Sequence, residues 1–148
     1  MRTTLALAIA LLFRACTGIP AYAQTVPPHT IDMNFTLLEE DGKPVQDCDQ
    51  APAPPAPPAP PNCVPLTLGR AASHALLFGR YPGEEGLSGD VKWARGTLAE
   101  RIRTDGKATL TAEEIGVVKR LIGKYYSPVI IAQAYPMLDP NAKPGPLQ

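Results

Sequence analysis

The 148-residue sequence contains little histidine, a residue common in metal and catalytic sites. It has only two histidines, and His74 has no second histidine at metal-ligand spacing because His29 lies in an extended lead-in. Ser73 and His74 are neighbours in a predicted helix, so their side chains point apart and do not form a nucleophile and its base. The sequence therefore predicts no catalytic, cofactor-binding or metal-binding residues, no cofactor and no enzymatic activity.

The sequence also lacks an excess of charge of one sign and a long apolar run. Its 14 basic residues balance 14 acidic ones, so the basic surface typical of proteins that bind DNA or RNA is not expected. Outside the N-terminus, no apolar stretch approaches the roughly 20 residues that a membrane-spanning helix needs. We therefore expect no nucleic-acid partner and no stable membrane insertion of the mature chain.

Residues 1–23 have the pattern of a secretory signal peptide. Arg2 supplies the positive charge, residues 5–13 form a short apolar run, and residues 21–23 give an A-x-A site that predicts cleavage between Ala23 and Gln24. About 125 residues would remain, enough for one small domain. Loss of Arg2 and Arg14 lowers the 14 basic residues to 12 against 14 acidic ones, a net charge of about −2. The expected location is secreted or periplasmic.

Cys16 supports a second interpretation of the leader, in which the chain is a lipoprotein acylated at this cysteine. A lipidation site needs small or aliphatic residues immediately before the cysteine, and Arg14 fits that requirement poorly. The A-x-A cleavage site fits the signal-peptide interpretation better, and we favour it.

After an extended lead-in at residues 24–30, the sequence predicts a β-hairpin. Apolar and polar residues alternate from 31 to 37, the period of a half-buried strand. Asp41-Gly42 follows, a strong turn signal. Residues 43–47 can return as a second strand, which Pro44 restricts to a sheet edge.

The rest of the domain predicts about four short helices. Thr67, Ser88 and Thr111 are candidate N-caps of the first three, and Glu114 completes a capping box with Thr111. Pro128 stands at the first position of the fourth helix, and Pro136 is expected to kink or end it. The predicted class is α+β: a short N-terminal β-hairpin packed on a helical bundle within residues 31–138. Residues 139–148 are predicted to be a disordered tail.

The second helix contains the one tryptophan. Val91, Ala94, Leu98 and Ile102 have the spacing of a single buried face. Trp93 either fills the core or lies on an exposed surface that binds a partner. Since large aromatic side chains are usually well buried, we favour the core position.

A proline-rich loop interrupts the domain at residues 49–62, and residues 51–61 read APAPPAPPAPP. Proline lacks a backbone donor, so this segment favours an extended polyproline II conformation over helix or sheet. It is either a ligand for an aromatic groove or a semi-rigid spacer or inserted loop, and we favour the second interpretation.

Cys48 and Cys63 frame this loop and are the only cysteines left after cleavage of the leader. An even cysteine count in an oxidising compartment favours an intramolecular disulfide. As a straight rod, residues 51–61 would span about 34 Å, whereas a disulfide needs Cα atoms within about 7 Å, so the segment would have to bend. Free thiols, or bridges to other chains, are the alternatives.

Several short motifs together resemble a loose family of small uncharacterised proteins from tailed phages and prophages. The matching pieces are Phe35-Thr36, residues 41–44, 66–77, 87–89 and 110–128. The resemblance implies a hairpin-plus-helix fold but carries no functional residues, and this chain departs from the family in its leader and its proline-rich insertion. We expect an exported, non-enzymatic protein-interaction module with a prophage connection and an unknown protein partner. The alternatives are a structural spacer in the cell envelope and, less favoured, a small enzyme.

Overall fold

The fold is known from a computed structural model that describes residues 28–48, 62–78, 81–82, 84–104 and 106–146. The predicted signal peptide, its cleavage site at Ala23 and Gln24, and residues 49–61 of the proline-rich loop lie outside these residues. The described part contains four helices and two small antiparallel sheets, so the predicted α+β class is confirmed. In chain order the elements are β1 (His29–Asp32), β2 (Gln46–Cys48), β3 (Cys63–Pro65), α1 (Leu68–Leu77), α2 (Gly89–Thr104), β4 (Lys107–Leu110), α3 (Ala112–Tyr125) and α4 (Pro128–Leu138).

Local capping residues set the starts of the first three helices, as predicted. The side chain of Thr67 accepts a hydrogen bond from the backbone N–H of Arg70, and Ser88 accepts one from Val91, each at 3.3 Å. At α3 the capping box is complete. Thr111 accepts from the N–H of Glu114 at 3.2 Å, while the Glu114 carboxylate accepts from the N–H of Thr111 at 2.8 Å. These bonds satisfy donors that the first turn of a helix leaves without intrahelical partners.

The fourth helix begins with Pro128 at its first turn and continues past Pro136 to Leu138. Of the two outcomes expected at Pro136, a kink or an end, the helix does not end there. Asp139, the first residue of the predicted tail, donates its N–H to the carbonyl of Tyr135 at 2.9 Å. Its carboxylate accepts a hydrogen bond from Lys119 of α3 at 2.9 Å, which ties the end of α4 to α3.

The N-terminal strands pair differently from a simple hairpin. The turn at Asp41-Gly42 is present, with Gly42 at φ +81°, but a single bridge between Leu38 and Pro44 joins its arms. β1 instead pairs antiparallel with β4, and β2 pairs with β3. Strand β1 ends where the Asp32 carboxylate accepts the N–H of Asn34 at 3.0 Å, a local turn that interrupts the predicted continuous strand.

The core lies between the β1–β4 sheet and the four helices. Its fully buried members come from every layer: Met33, Leu68, Ile102, Leu110, Val118, Leu121, Ile122 and Leu138. A smaller buried cluster of Leu37, Leu66, Ala71 and Ile130 lies beneath the β2–β3 end of the domain. Gly69 permits the close packing of α1, because a Cβ there would lie 3.0 Å from the Cβ of Met33.

Candidate interaction surfaces

The two cysteines that frame the proline-rich loop lie side by side. Cys48 and Cys63 face each other in the β2–β3 ladder, with Cα atoms 4.0 Å apart and sulfur atoms 2.06 Å apart, the distance of a disulfide bond. The predicted pairing within one chain is thus the arrangement in the structure. Both ends of the loop therefore leave the domain from one point.

A charged network anchors this point to α1. The Asp47 carboxylate accepts a hydrogen bond from Nε of Arg70 at 2.7 Å, and Nη2 of Arg70 is 2.5 Å away. Nε2 of His74 lies 3.7 Å from the same carboxylate oxygen. Because Asp47 immediately precedes Cys48, the base of the loop is fixed against one face of α1. Sequence analysis missed this contact, since Arg70 and His74 show only helical spacing and give no sign of their strand partner.

Beside this network lies a group of rings that we call the aromatic strip, made of His74, Phe78, Tyr81, Tyr125 and Tyr126. The His74 and Phe78 rings are 5.6 Å apart and those of Tyr125 and Tyr126 are 4.8 Å apart, both edge to face. Phe78 is 65% exposed and Tyr125 is 44% exposed. The strip combines rings at the end of α1 with rings at the end of α3. Phe78 and Tyr125 are its exposed members, whereas Tyr81 is buried.

Tyr81 and Tyr126 are the two more deeply buried tyrosines of the strip. The Tyr81 hydroxyl donates to the carbonyl of Ala75 at 2.8 Å, and burial, with the nearby Glu84 charge, raises its pKa to about 12. Burial is also the main cause that raises the pKa of Tyr126, and the neighbouring Tyr125 and Asp47 add to it. Both hydroxyls therefore stay protonated and neutral at physiological pH.

Two clefts flank Tyr81 and Pro82. One, of about 440 Å³, is also lined by Lys124 and Tyr125. The other, of about 670 Å³, is lined by Leu76, Leu77, Tyr81, Pro82, Glu84, Glu85, Leu87, Lys92 and Arg95. The larger cleft contains an ion pair.

In that ion pair, Arg95 donates two hydrogen bonds to the Glu84 carboxylate, at 2.9 and 3.0 Å, and both side chains are mostly buried. Nζ of Lys124 lies 3.8 Å from the same carboxylate. The hydrogen bonds from Arg95 hold the pKa of Glu84 below its usual value, despite some opposing desolvation. Glu84 thus remains ionised near neutral pH, where it cannot serve as a general acid.

The outward side of α2 forms a second surface, which we call the α2 face. It surrounds a shallow hollow of about 640 Å³ lined by Trp93, Gly96, Thr97, Glu100, Arg101 and Thr104. Trp93 is 76% exposed, so the favoured prediction that it fills the core is wrong. Val91 and Ala94 are exposed as well, and only Leu98, Ala99 and Ile102 of α2 are buried. Trp93 is exposed because it lies about 180° around the helix from the buried Ile102. Val91 and Ala94 share the side of Ile102 but belong to the first turns of the helix, which lie beyond the packed core.

The remaining predictions concern a catalytic pair, a metal site and a membrane-spanning helix, none of which the sequence analysis expected. Ser73 is buried and donates its hydroxyl to the carbonyl of Ala99 at 3.3 Å, while His74 turns towards Asp47. Within the described ranges, no group of three or more histidine, cysteine or acidic side chains is placed to hold a metal ion. None of the helices in the same ranges has both the length and the apolar character needed to cross a membrane.

Comparison with known proteins gives no relative for this chain. No protein-family model, no curated protein and no solved structure matches it. The resemblance to tailed-phage proteins therefore stays a prediction.

Proposed function

We propose that this chain is an exported, non-enzymatic interaction module that binds a protein partner through the α2 face. The proposal rests mainly on the exposure of Trp93, which is 76% solvent-exposed. Tryptophan is enriched among the residues that dominate the energy of protein interfaces, because its large rigid side chain buries much surface at low entropic cost. A prophage connection and an unidentified protein partner are part of this proposal, and the former rests only on the sequence resemblance.

The surroundings of Trp93 suit a docking surface. Gly96 and Thr97 are small and leave the hollow beside the indole open to a partner side chain. Glu100 and Arg101 lie further along the same side, where they provide a polar rim.

Export is supported by the cysteine pair. Disulfides persist in oxidising compartments, and Cys48 and Cys63 lie at disulfide distance. Together with the predicted signal peptide, this favours a secreted or periplasmic location.

The envelope-spacer alternative receives less support. A spacer must hold its two ends apart, whereas the Cα atoms of Cys48 and Cys63 are 4.0 Å apart. The proline-rich segment therefore leaves and re-enters the domain at one place, which suits a presented or docked loop better than a rod between two bodies.

In-cell photocrosslinking tests the proposal. A photoreactive residue in place of Thr97 in the α2 face should capture one specific partner in the exported chain. Adding Trp93→Ala should abolish that capture. Adding Met137→Ala, which truncates an apolar side chain 38% exposed on α4, should leave it intact. Equal capture by the Trp93→Ala and Met137→Ala chains would contradict the proposal, as would no specific product from Thr97.

A further inference from the structure

The aromatic strip occurs at the same end of the domain as Cys48 and Cys63, the two residues that frame the proline-rich loop. Four of the seven phenylalanine, tyrosine and tryptophan residues in the described ranges belong to the strip. The loop begins immediately after Asp47 and Cys48, and Asp47 lies 3.7 Å from His74, itself a member of the strip. The strip, with its exposed Phe78 and Tyr125 rings, therefore belongs to the end of the domain where the loop leaves the fold.

The chemistry of the two parts is complementary. Residues 51–61 contain only alanine and proline, so they carry no charge and few backbone donors. Polyproline segments dock on grooves lined by aromatic rings, where proline rings pack on ring faces and the free carbonyls accept hydrogen bonds. Phe78 offers an exposed ring face, and the partly exposed Tyr125 offers a ring together with a hydroxyl donor.

The length of the segment allows it to reach the strip. Phe78 lies eight residues beyond Arg70, which is about 12 Å along the helix axis. Fourteen residues separate Cys48 from Cys63, and seven of them in polyproline II conformation extend about 22 Å. Since both ends are fixed at one point, the loop stays near the strip at an effective concentration in the millimolar range.

We propose that the aromatic strip binds this chain's own proline-rich segment, residues 51–61, within the same molecule. The surface differs from the α2 face, so this inference goes beyond the proposed function and does not depend on it. Docking gives the loop one defined position on the domain and covers Phe78 and Tyr125.

Site-specific crosslinking in the disulfide-bonded mature chain tests the docking. A small aliphatic diazirine residue replaces Ala56, at the middle of the segment, and mass spectrometry maps the product. The expected product is a monomer crosslinked to a peptide that contains Phe78 or Tyr125. Adding Phe78→Ala and Tyr125→Ala should reduce this product at least fivefold. Adding Trp93→Ala should leave it unchanged, which separates this result from a failure of the α2 face.

A binding experiment on intact chains completes the test. When residues 51–61 are replaced by a glycine-serine sequence of equal length, the free peptide APAPPAPPAPP should bind at least tenfold more tightly than it binds the parent chain, because the strip is then vacant. Equal binding to the two chains, or no binding to the replaced chain, would overturn the inference. Crosslinks between two copies would identify a second molecule as the occupant, and crosslinks elsewhere, or none, would also overturn it.

Discussion

Removal of the Cys48–Cys63 bridge should destabilise the mature domain by about 3 kcal/mol. The bridge closes a ring of about 16 residues, and the loss of loop entropy in the unfolded chain gives this magnitude. Besides the bridge, the ion pair between Asp47 and Arg70 and a short strand ladder hold the base of the loop. The β2–β3 ladder has three paired positions, and Pro65, at one of them, has no N–H to donate.

The perturbation is the double variant Cys48→Ser and Cys63→Ser in the chain that begins at Gln24. With an m-value of about 2 kcal/mol/M, the midpoint of urea unfolding should fall by about 1.5 M. A ring-size control sharpens the test. Deletion of residues 51–61 leaves a ring of about five residues, so removing the bridge from that shorter chain should cost about 1 kcal/mol less.

Two results would refute this reasoning. One is an unchanged urea midpoint in the double variant, which would mean that the bridge does not constrain the unfolded chain. The other is evidence against the bridge itself: labelling of both thiols in the exported protein before reduction, or a dimer that dissociates on reduction. Either would mean that the two cysteines are not bridged within one molecule.

Four further outcomes follow from the structure and the leader. Thr111→Ala removes the N-cap of α3 and should cost about 1 kcal/mol in urea unfolding. Ile122→Ala opens a cavity at a fully buried position and should cost about 2–5 kcal/mol, whereas a neutral result would remove this residue from the core. Because the folded pKa of Glu84 is lowered, its pair with Arg95 stabilises the fold above the unfolded pKa of about 4.3, and that contribution is lost as the pH falls through the folded pKa. Glu84→Gln should therefore lower the free energy of unfolding at pH 7. In the variant, this free energy should also fall less as the pH is lowered, which urea unfolding at several pH values measures. The intact mass of the exported chain should correspond to an N-terminus at Gln24, and an acylated Cys16 would contradict the predicted cleavage.

The features that sequence analysis predicted well depend on short-range chemistry. The start of α3 follows from Thr111 and Glu114, three residues apart, and the structure contains both of their hydrogen bonds. The turn at Asp41-Gly42 likewise needs only a residue that tolerates positive φ. Such signals lie within a few residues of the structure that they determine.

The features that sequence analysis missed depend on contacts between distant segments. Ile31 pairs with Ala108 in the β1–β4 sheet, and no local pattern identifies that partner. Trp93 is an exception to this rule. It lies about 180° around α2 from the buried Ile102, so helical spacing alone would have placed it on the outward side. The aromatic strip requires α1 and α3 to end beside each other, so the spacing of His74 and Phe78 alone could not reveal it.

The most direct test of the central claim is a titration of the captured partner with the purified mature chain. If the α2 face is the binding surface, Trp93→Ala should weaken the affinity by about 30-fold or more, equivalent to about 2 kcal/mol. Met137→Ala should change the affinity less than threefold. Equal affinities of the parent and Trp93→Ala chains would contradict the account.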